Sequence, residues 1–169
     1  MSKKISPNLI VFNGTSSSGK SSIAHILHRK LLNPPRLLIK LDDLLYRLPL
    51  SEINRDEYRK LCDPCHDTLS GYTLSAIKSG LLCIVDTVFE EGCFERFSKK
   101  LSGVKPFYIK VFCPLEILKQ REAERGDRKI GTAEGQFDIT HLGIKYDLEL
   151  DTSKLSPEES VSKILRIVE

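Results

Sequence analysis

A chain of 169 residues with 40% hydrophobic residues can bury one core but is short for two, so we expect a single domain over 1–169. Lysine and arginine number 26 against 23 aspartate and glutamate, and a net charge of +3 is too small to indicate a nucleic-acid partner. No apolar run is long enough to span a membrane, and residues 1–8 lack the apolar segment of a signal peptide. We therefore predict a cytoplasmic protein without a membrane partner.

The first predicted strand leads directly into the segment GTSSSGKSS at residues 14–22. Its spacing fits G-x-x-x-x-G-K-[ST], in which Gly14 and Gly19 let the backbone turn so that its N–H groups surround phosphates. Lys20 is expected to reach the β- and γ-phosphates of ATP, and Ser21 is expected to bind Mg²⁺. The predicted nucleotide-binding residues of this P-loop are Gly14, Thr15, Ser16, Ser17, Ser18, Gly19, Lys20, Ser21 and Ser22.

Apolar runs and helical patterns alternate along the rest of the chain. A helix pattern follows the P-loop, with an apolar face formed by Ile23, Ile26, Leu27 and Leu31. The runs predicted as strands are Ile10 to Phe12, Leu37 to Leu41, Leu81 to Val85, Phe107 to Phe112 and Tyr146 to Leu150. Ser156, Pro157 and Glu159 predict a capping box that opens the last helix. This alternation predicts an α/β fold, a five-stranded parallel sheet with helices on both faces.

Three aspartates lie where predicted strands end, which is the edge where such sheets bind ligands. Asp42 and Asp43 follow LLIKL, where a carboxylate can accept the proton of a substrate hydroxyl that attacks the γ-phosphate. Either residue can instead cap the short helix DDLLYRLP, and we favour the base for Asp42 and the cap for Asp43. Asp86 closes LLCIVD, which resembles a Walker B strand, so it is predicted to hold Mg²⁺ or to support the site structurally.

The segment from 51 to 77 is polar, weakly periodic and predicted to be helical. Small P-loop kinases place the cover over their acceptor here, so we assign about 50–78 to that role by analogy of fold. Within it, CDPCH at 62–66 matches the C-x-x-C-H pattern of haem attachment, but no export signal accompanies it. A zinc site would need two further ligands. We interpret Cys62, Cys65 and His66 as a local turn and expect the cysteines to be reduced.

The segment QREAERGDRKIGTAEGQ at 120–136 spaces Arg121, Arg125 and Arg128 by four and three residues and continues with glycines. Arginines on a hinged segment can close over the transferring phosphoryl group, stabilise its charge and exclude water. Such a run alone is more often a solvated helix face. Because it follows a P-loop, we interpret about 121–140 as a lid.

Together these segments resemble the chloramphenicol phosphotransferase family, small P-loop kinases that transfer a phosphoryl group from ATP to the primary hydroxyl of an antibiotic. REAERGDRKIGTAEGQ and HLGIKYDLELDTSKLSPEE look like that family's lid and final strand, and LLCIVDTVFEEG looks like its third strand and the following loop. The similarity extends over most of residues 8–168, except about 50–78. That gap covers the part expected to touch the acceptor.

The resemblance implies roles for particular residues. It makes Asp42 the catalytic base and places Thr152, in DTS at 151–153, beside the adenine. The lid arginines carry over to Arg125, Arg128 and Arg121. The resemblance also implies the fold of a nucleoside- or shikimate-kinase-like P-loop NTPase with a lid.

The leading hypothesis is an ATP-dependent O-phosphotransferase that acts on a small hydroxylated molecule, with chloramphenicol as the candidate acceptor and ATP and Mg²⁺ as cofactors. The catalytic residues would be Lys20, Asp42, Arg125 and Arg128, with Ser21 and Asp86 at the metal and Arg121 and Thr152 at the nucleotide. A nucleoside or shikimate-like kinase would differ only in its acceptor pocket, and a toxin-like kinase of a sugar nucleotide is a further alternative. A regulatory nucleotide-binding module would need neither Asp42 nor the lid arginines. The sequence leaves monomer and homo-oligomer open.

Overall fold

A parallel β-sheet lies at the centre of the computed structural model, which describes residues 4–49, 52, 54–90, 92–126 and 130–168. Over these residues the chain forms five strands and seven helices. The strands are β1 (Leu9–Asn13), β2 (Arg36–Lys40), β3 (Leu82–Thr87), β4 (Pro106–Phe112) and β5 (Leu148–Asp151). The helices are α1 (Lys20–Lys30), α2 (Leu41–Leu45), α3 (Arg55–Lys78), α4 (Cys93–Lys100), α5 (Leu115–Arg125), α6 (Thr132–Phe137) and α7 (Pro157–Leu165). No helix in these ranges is both long and apolar enough to cross a membrane.

The strand order is β2-β3-β1-β4-β5, and all neighbouring strands are parallel. β1 is the point where the chain changes direction across the sheet, because β2 and β3 lie on one side of it and β4 and β5 on the other. Ligands of such sheets bind beyond the carboxyl ends of the strands at this switch point. The segment that follows β1 is the predicted P-loop, so the fold places it at the centre of the binding edge.

Helices cover both faces of the sheet because alternate side chains of each strand point to opposite sides. Leu9 and Val11 of β1 belong to a core that includes residues of α2, α3 and α4. Ile10 and Phe12 belong to a second core with residues of α1 and α7. All four side chains are fully buried, which explains why the sequence of β1 is uniformly apolar. The predicted five-stranded parallel sheet with helices on both faces is confirmed.

Most differences from the predicted elements concern their ends. Leu41, predicted as the end of the second strand, lies in α2, and the third strand continues past Asp86 to Thr87. The fifth strand begins at Leu148 and not at Tyr146. The capping box at the start of α7 is confirmed, since the Ser156 hydroxyl accepts from the Glu159 amide at 3.1 Å.

The local turn predicted for CDPCH is wrong. Residues 62–66 lie inside α3, a helix of 24 residues that includes Pro64. A capping box of Asn54 and Glu57 begins this helix, and buried side chains such as Leu69 hold it against the sheet core. Pro64 cannot donate a backbone hydrogen bond, and tertiary packing stabilises the helix enough to compensate for this loss.

Candidate active site

The loop between β1 and α1 has the shape that its glycines predict. Gly14 lies so close to β4 that a Cβ atom there would be 2.4 Å from the Val111 carbonyl oxygen, which only glycine avoids. Gly19 has a φ of 85° and is the N-cap of α1, and Ser17 also has a positive φ of 62°. The loop therefore wraps the N-terminus of α1, where unpaired backbone N–H groups and the positive end of the helix dipole favour an anion.

Buried polar groups line this loop. The hydroxyls of Ser16, Ser17 and Ser18 are buried and have no hydrogen-bond partner among the residues that the structure describes. Thr15 is also buried, and its carbonyl accepts from the Ser18 amide at 3.3 Å. Lys20 is about nine-tenths buried at the start of α1. Buried hydroxyls and a buried cation are costly unless a polar ligand pairs with them, so the loop suits an anion with several oxygens.

Two openings adjoin the P-loop. The inner cavity, of about 100 Å³, is lined by residues that include Ser16, Lys20, Asp42, Glu90, Arg125 and Gln136. The outer groove, of about 810 Å³, is lined by residues that include Gly19, Ser22, Arg121, Arg125 and Thr152. The outer groove has the size of a small-molecule site, whereas the inner cavity must widen to admit one. Of the two lid arginines that the structure describes, Arg125 lies at both openings.

Asp86 and Ser21, the two predicted metal ligands, lie together. Asp86 is level with Phe12 of β1 and Lys40 of β2 in the sheet register, at the binding edge. Burial raises the pKa of its carboxyl group, while the Lys20 charge and a hydrogen bond from Ser21 act in the opposite direction. Within the described ranges, its Oδ1 atom has no hydrogen-bond partner.

This arrangement fits a magnesium ion held jointly with phosphates. In the described part of the chain, no group of three or more His, Cys, Asp or Glu side chains could hold a metal. Mg²⁺ in kinase sites needs only one or two protein oxygens, because waters and phosphate oxygens complete its octahedron. The Ser21 hydroxyl and the unpaired Asp86 oxygen supply that number.

Asp42 and Asp43 occupy different surroundings. Asp42 lines the inner cavity together with Lys20. Asp43 is exposed and forms an ion pair with Lys40, at 3.0 Å between Nζ and Oδ1. The predicted cap role of Asp43 is wrong, because Lys40 is at the N-cap position of α2 and no side chain caps this helix in the described structure. The reason is that β2 ends one residue before the predicted end, so both aspartates lie inside the first turn of α2.

Arg121 and Thr152 are joined to the P-loop. Arg121 donates from Nη1 to the Thr152 hydroxyl at 3.0 Å and from Nη2 to its carbonyl at 2.8 Å. The Thr152 hydroxyl in turn donates to the Ser18 carbonyl at 2.8 Å. The structure thus brings together the two residues predicted at the nucleotide, and both line the outer groove.

The predicted lid, about 121–140, begins in the second half of α5 and includes α6. Glu122 of α5 is buried, and its carboxylate accepts from the backbone amides of Gly131 at 2.7 Å and Ala133 at 2.9 Å, at the start of α6. Gly126 and Gly131 have φ angles of 67° and 89°, which favour glycine. Arg128 lies outside the described residues.

The prediction missed a hydrogen-bonded connection across the inner cavity. The side-chain oxygen Oε1 of Gln136 accepts from the Ser16 backbone amide at 2.8 Å, and its Nε2 donates to Glu90 Oε1 at 3.2 Å. Fully buried Asn13 accepts from the Phe89 amide at 2.9 Å and donates to the Thr140 carbonyl at 2.7 Å. These residues come from three distant segments, so no spacing in the sequence could have indicated them.

One face of α3 also lines the inner cavity and was missed. Tyr58, Cys62 and His66 are spaced by four residues and therefore lie on one side of the helix. Burial raises the pKa of Cys62 to about 12 and raises that of Tyr58 above its usual range. Burial lowers the pKa of His66 to about 4. All three side chains are therefore uncharged at neutral pH. Their four-residue spacing was the one feature of the sequence that could have indicated a shared helix face.

Comparison with known proteins places this geometry in context. A family model described as chloramphenicol phosphotransferase-like protein matches residues 7–169. The adenylyl-sulfate kinase of Bacteroides thetaiotaomicron is 30% identical over 175 residues, which cover 95% of this chain and 82% of that protein.

Solved structures of kinases share the fold. A putative kinase from Chloroflexus aurantiacus has a TM-score of 0.73 at 17% identity and covers 95% of both chains. The APS kinase of Mycobacterium tuberculosis, in complex with AMPPNP and APS, has a TM-score of 0.71 at 20% identity, covering 97% of this chain and 98% of that one. The shikimate kinase of Acinetobacter baumannii, in complex with shikimate, has a TM-score of 0.63 at 16% identity, covering 96% and 93%. The predicted P-loop kinase fold is confirmed.

Proposed function

Because the chain belongs to the chloramphenicol phosphotransferase-like family, we propose that it transfers the γ-phosphoryl group of ATP to a hydroxyl of a small molecule, with chloramphenicol as the first candidate acceptor. The observation that carries this proposal is the inner cavity, where Asp42, Lys20, Arg125 and the P-loop meet. A carboxylate beside a phosphate site is what a kinase needs to activate a hydroxyl. ATP as the donor agrees with the predicted cytoplasmic location.

In the proposed reaction, the acceptor hydroxyl donates its proton to the Asp42 carboxylate as its oxygen attacks the γ-phosphorus. The bond between that phosphorus and the oxygen bridging to the β-phosphate breaks, and ADP leaves. Lys20 and the P-loop amides balance the charge that shifts to the β-phosphate oxygens. Ser21 and Asp86 would hold Mg²⁺, which when bound neutralises phosphate charge and orients the leaving group.

The lid has to open and close in this proposal, because the inner cavity of about 100 Å³ is smaller than a drug-sized acceptor needs. Gly126 and Gly131, with φ angles of 67° and 89°, are the described positions at which the backbone would rearrange. On closure, Arg125 would meet the transferring phosphoryl group, and Arg128 is proposed to join it. The acceptor would enter beneath α3, within the segment of about 50–78.

Two of the proteins similar to this chain are named for different acceptors, and these acceptors determine which compounds the test includes. The similarity to an adenylyl-sulfate kinase makes adenylyl sulfate a competing acceptor, and the shared fold adds shikimate. We would incubate the purified protein with ATP and Mg²⁺ and with chloramphenicol, adenosine, shikimate or adenylyl sulfate in turn. ADP release would be measured alongside product mass. A product heavier by one phosphoryl group supports the proposal, while ATP binding without transfer to any hydroxyl would favour a regulatory module.

A further inference from the structure

Glu90 lies in the loop after β3 and lines the inner cavity, as Asp42 does. Its loop is anchored, because the preceding Phe89 is buried and donates its amide hydrogen to the Asn13 side-chain oxygen at 2.9 Å. A second carboxylate in the cavity that holds a proposed catalytic base needs a reason, since like charges that share a site repel each other. Nothing in the proposed phosphoryl transfer uses it.

Gln136 orients the Glu90 carboxylate. The Ser16 amide can only donate, so the Gln136 oxygen faces Ser16 and its NH₂ group faces Glu90. The Gln136 side chain thereby links the P-loop to Oε1 of Glu90. The second carboxylate oxygen, Oε2, keeps its capacity to accept a hydrogen bond from a substrate.

Lys20 and Arg125 are the cations in the described lining of this cavity, and the three α3 side chains that line it add no further positive charge. Tyr58, Cys62 and His66 are uncharged at neutral pH because burial raises the pKa values of the first two and lowers that of His66. His66 is 2% exposed, and its Nδ1 has no hydrogen-bond partner among the described residues. A polar ligand in the cavity could supply the hydrogen bond that this buried nitrogen lacks.

We propose that Glu90 is a specificity-determining residue, which accepts a hydrogen bond from a second hydroxyl or N–H group of the acceptor while Asp42 engages the hydroxyl that reacts. This inference rests on the proposed phosphotransferase function and narrows its substrate class. The acceptor would be an uncharged molecule with at least two hydrogen-bond donors. A carboxylate, sulfate or phosphate placed against Glu90 would meet a like charge, which disfavours anionic acceptors.

The test is a reversal of preference in Glu90→Gln, which keeps the size of the side chain and removes its charge. We would measure kcat/KM for chloramphenicol and adenosine as uncharged acceptors and for shikimate and adenylyl sulfate as anionic ones. Glu95→Gln, an exposed glutamate of α4, receives the same change away from the cavity and is the matched control. Gln136→Leu removes the hydrogen bond to Glu90 and the one from Ser16 that orients Gln136, and it leaves the charge of Glu90 in place.

We expect the wild-type enzyme to prefer an uncharged acceptor. Glu90→Gln should raise the KM of that acceptor about tenfold, the usual effect of one hydrogen bond to a charged group, with the KM of ATP unchanged. It should also raise kcat/KM for the anionic acceptors, a gain that mere loosening of the fold cannot produce. Gln136→Leu should lower kcat/KM for the uncharged acceptor without raising kcat/KM for the anionic ones.

Two results would overturn the inference and leave the phosphotransferase proposal standing. One is a wild-type preference for shikimate or adenylyl sulfate, and the other is an equal change of kcat/KM for all acceptors in Glu90→Gln. Transfer to none of the four compounds would instead count against the proposed function, and this inference would fall with it. Melting temperatures of all variants show whether each remains folded.

Discussion

At the scale of single residues, Lys20 gives the most direct test of the P-loop. Its ammonium group lies at the start of α1 and adds little to the apolar core, so Lys20→Ala should abolish phosphoryl transfer and preserve the melting temperature. Transfer would be measured by product mass. The control is Lys30→Ala, an exposed lysine at the other end of the same helix. Normal turnover in Lys20→Ala would remove the P-loop role.

Asp42 and Asp43 form a natural matched pair, because one lines the inner cavity and the other is exposed and paired with Lys40. Asp42→Asn should lower kcat by roughly 10²–10⁴, the scale for losing a general base, with little change in ATP affinity. Asp43→Asn should change kcat much less, since an exposed ion pair contributes little. Steady-state kinetics would check both. A larger loss in Asp43→Asn would refute the base assignment.

His66 should make the stability of the protein depend on pH. Burial and the Arg96 charge lower its pKa to about 4 from a usual 6.5, against the opposing effects of Asp63, Asp67 and the Val88 backbone. Between these two pH values the unfolded chain binds a proton that the folded protein does not, so the unfolding free energy falls as the pH falls. We expect His66 to account for roughly 1–2 kcal/mol between pH 6.5 and pH 5.

Urea unfolding at several pH values would measure this contribution. The pH dependence of the unfolding free energy should be shallower in His66→Gln than in the wild type. His25→Gln changes an exposed histidine of α1 and should keep the wild-type slope. An unchanged slope in His66→Gln would mean that this imidazole is protonated in the folded protein.

At the scale of elements, α5 carries two arginines with separate expected roles. Arg121 is held by Thr152 beside the P-loop, whereas Arg125 lies at both openings and is followed by Gly126. Arg121→Ala should therefore weaken ATP binding, because it releases the support of the nucleotide site. Arg125→Ala should lower kcat more than ATP affinity, since a contact strongest in the transition state appears in the rate.

Calorimetry with ATP and turnover on the identified acceptor would separate the two effects. If Arg125→Ala lost affinity and kcat/KM equally while kcat stayed unchanged, the arginine would act only on the ground state. The lid would then have no catalytic role. The hydrogen bonds of Glu122 to Gly131 and Ala133, which join α5 to α6, would then serve the fold of this segment alone.

At the scale of the whole molecule, Gly14 is the residue at which the P-loop packs against the sheet. A methyl group there would meet the backbone of Val111 in β4, which cannot move without disturbing the central strands. Gly14→Ala should therefore lower the melting temperature and ATP affinity together. Gly135→Ala is the control, because a Cβ atom there meets nothing within 4 Å and alanine favours helix α6. An unchanged melting temperature and ATP affinity in Gly14→Ala would show that the loop can shift away from β4.

Local patterns were sufficient for the P-loop and for the sheet. The P-loop was predictable because phosphate binding uses backbone groups of consecutive residues, so its geometry is encoded in one short segment. The buried strands were predictable because both faces of a parallel sheet are covered, which makes β1 and β3 almost continuously apolar. The ends of strands were less certain, since hydrogen bonding to neighbouring strands decides them.

The sequence by itself therefore determined the fold class, the phosphate loop and the family, because each depends on residues that are close together along the chain. Only the tertiary structure decided that CDPCH continues a helix, that Asp42 and not Asp43 faces the cavity, and that Gln136 connects Ser16 with Glu90. These outcomes depend on packing and hydrogen bonds between segments up to 120 residues apart. A sequence pattern cannot indicate such contacts, because the segments become neighbours only when the sheet forms.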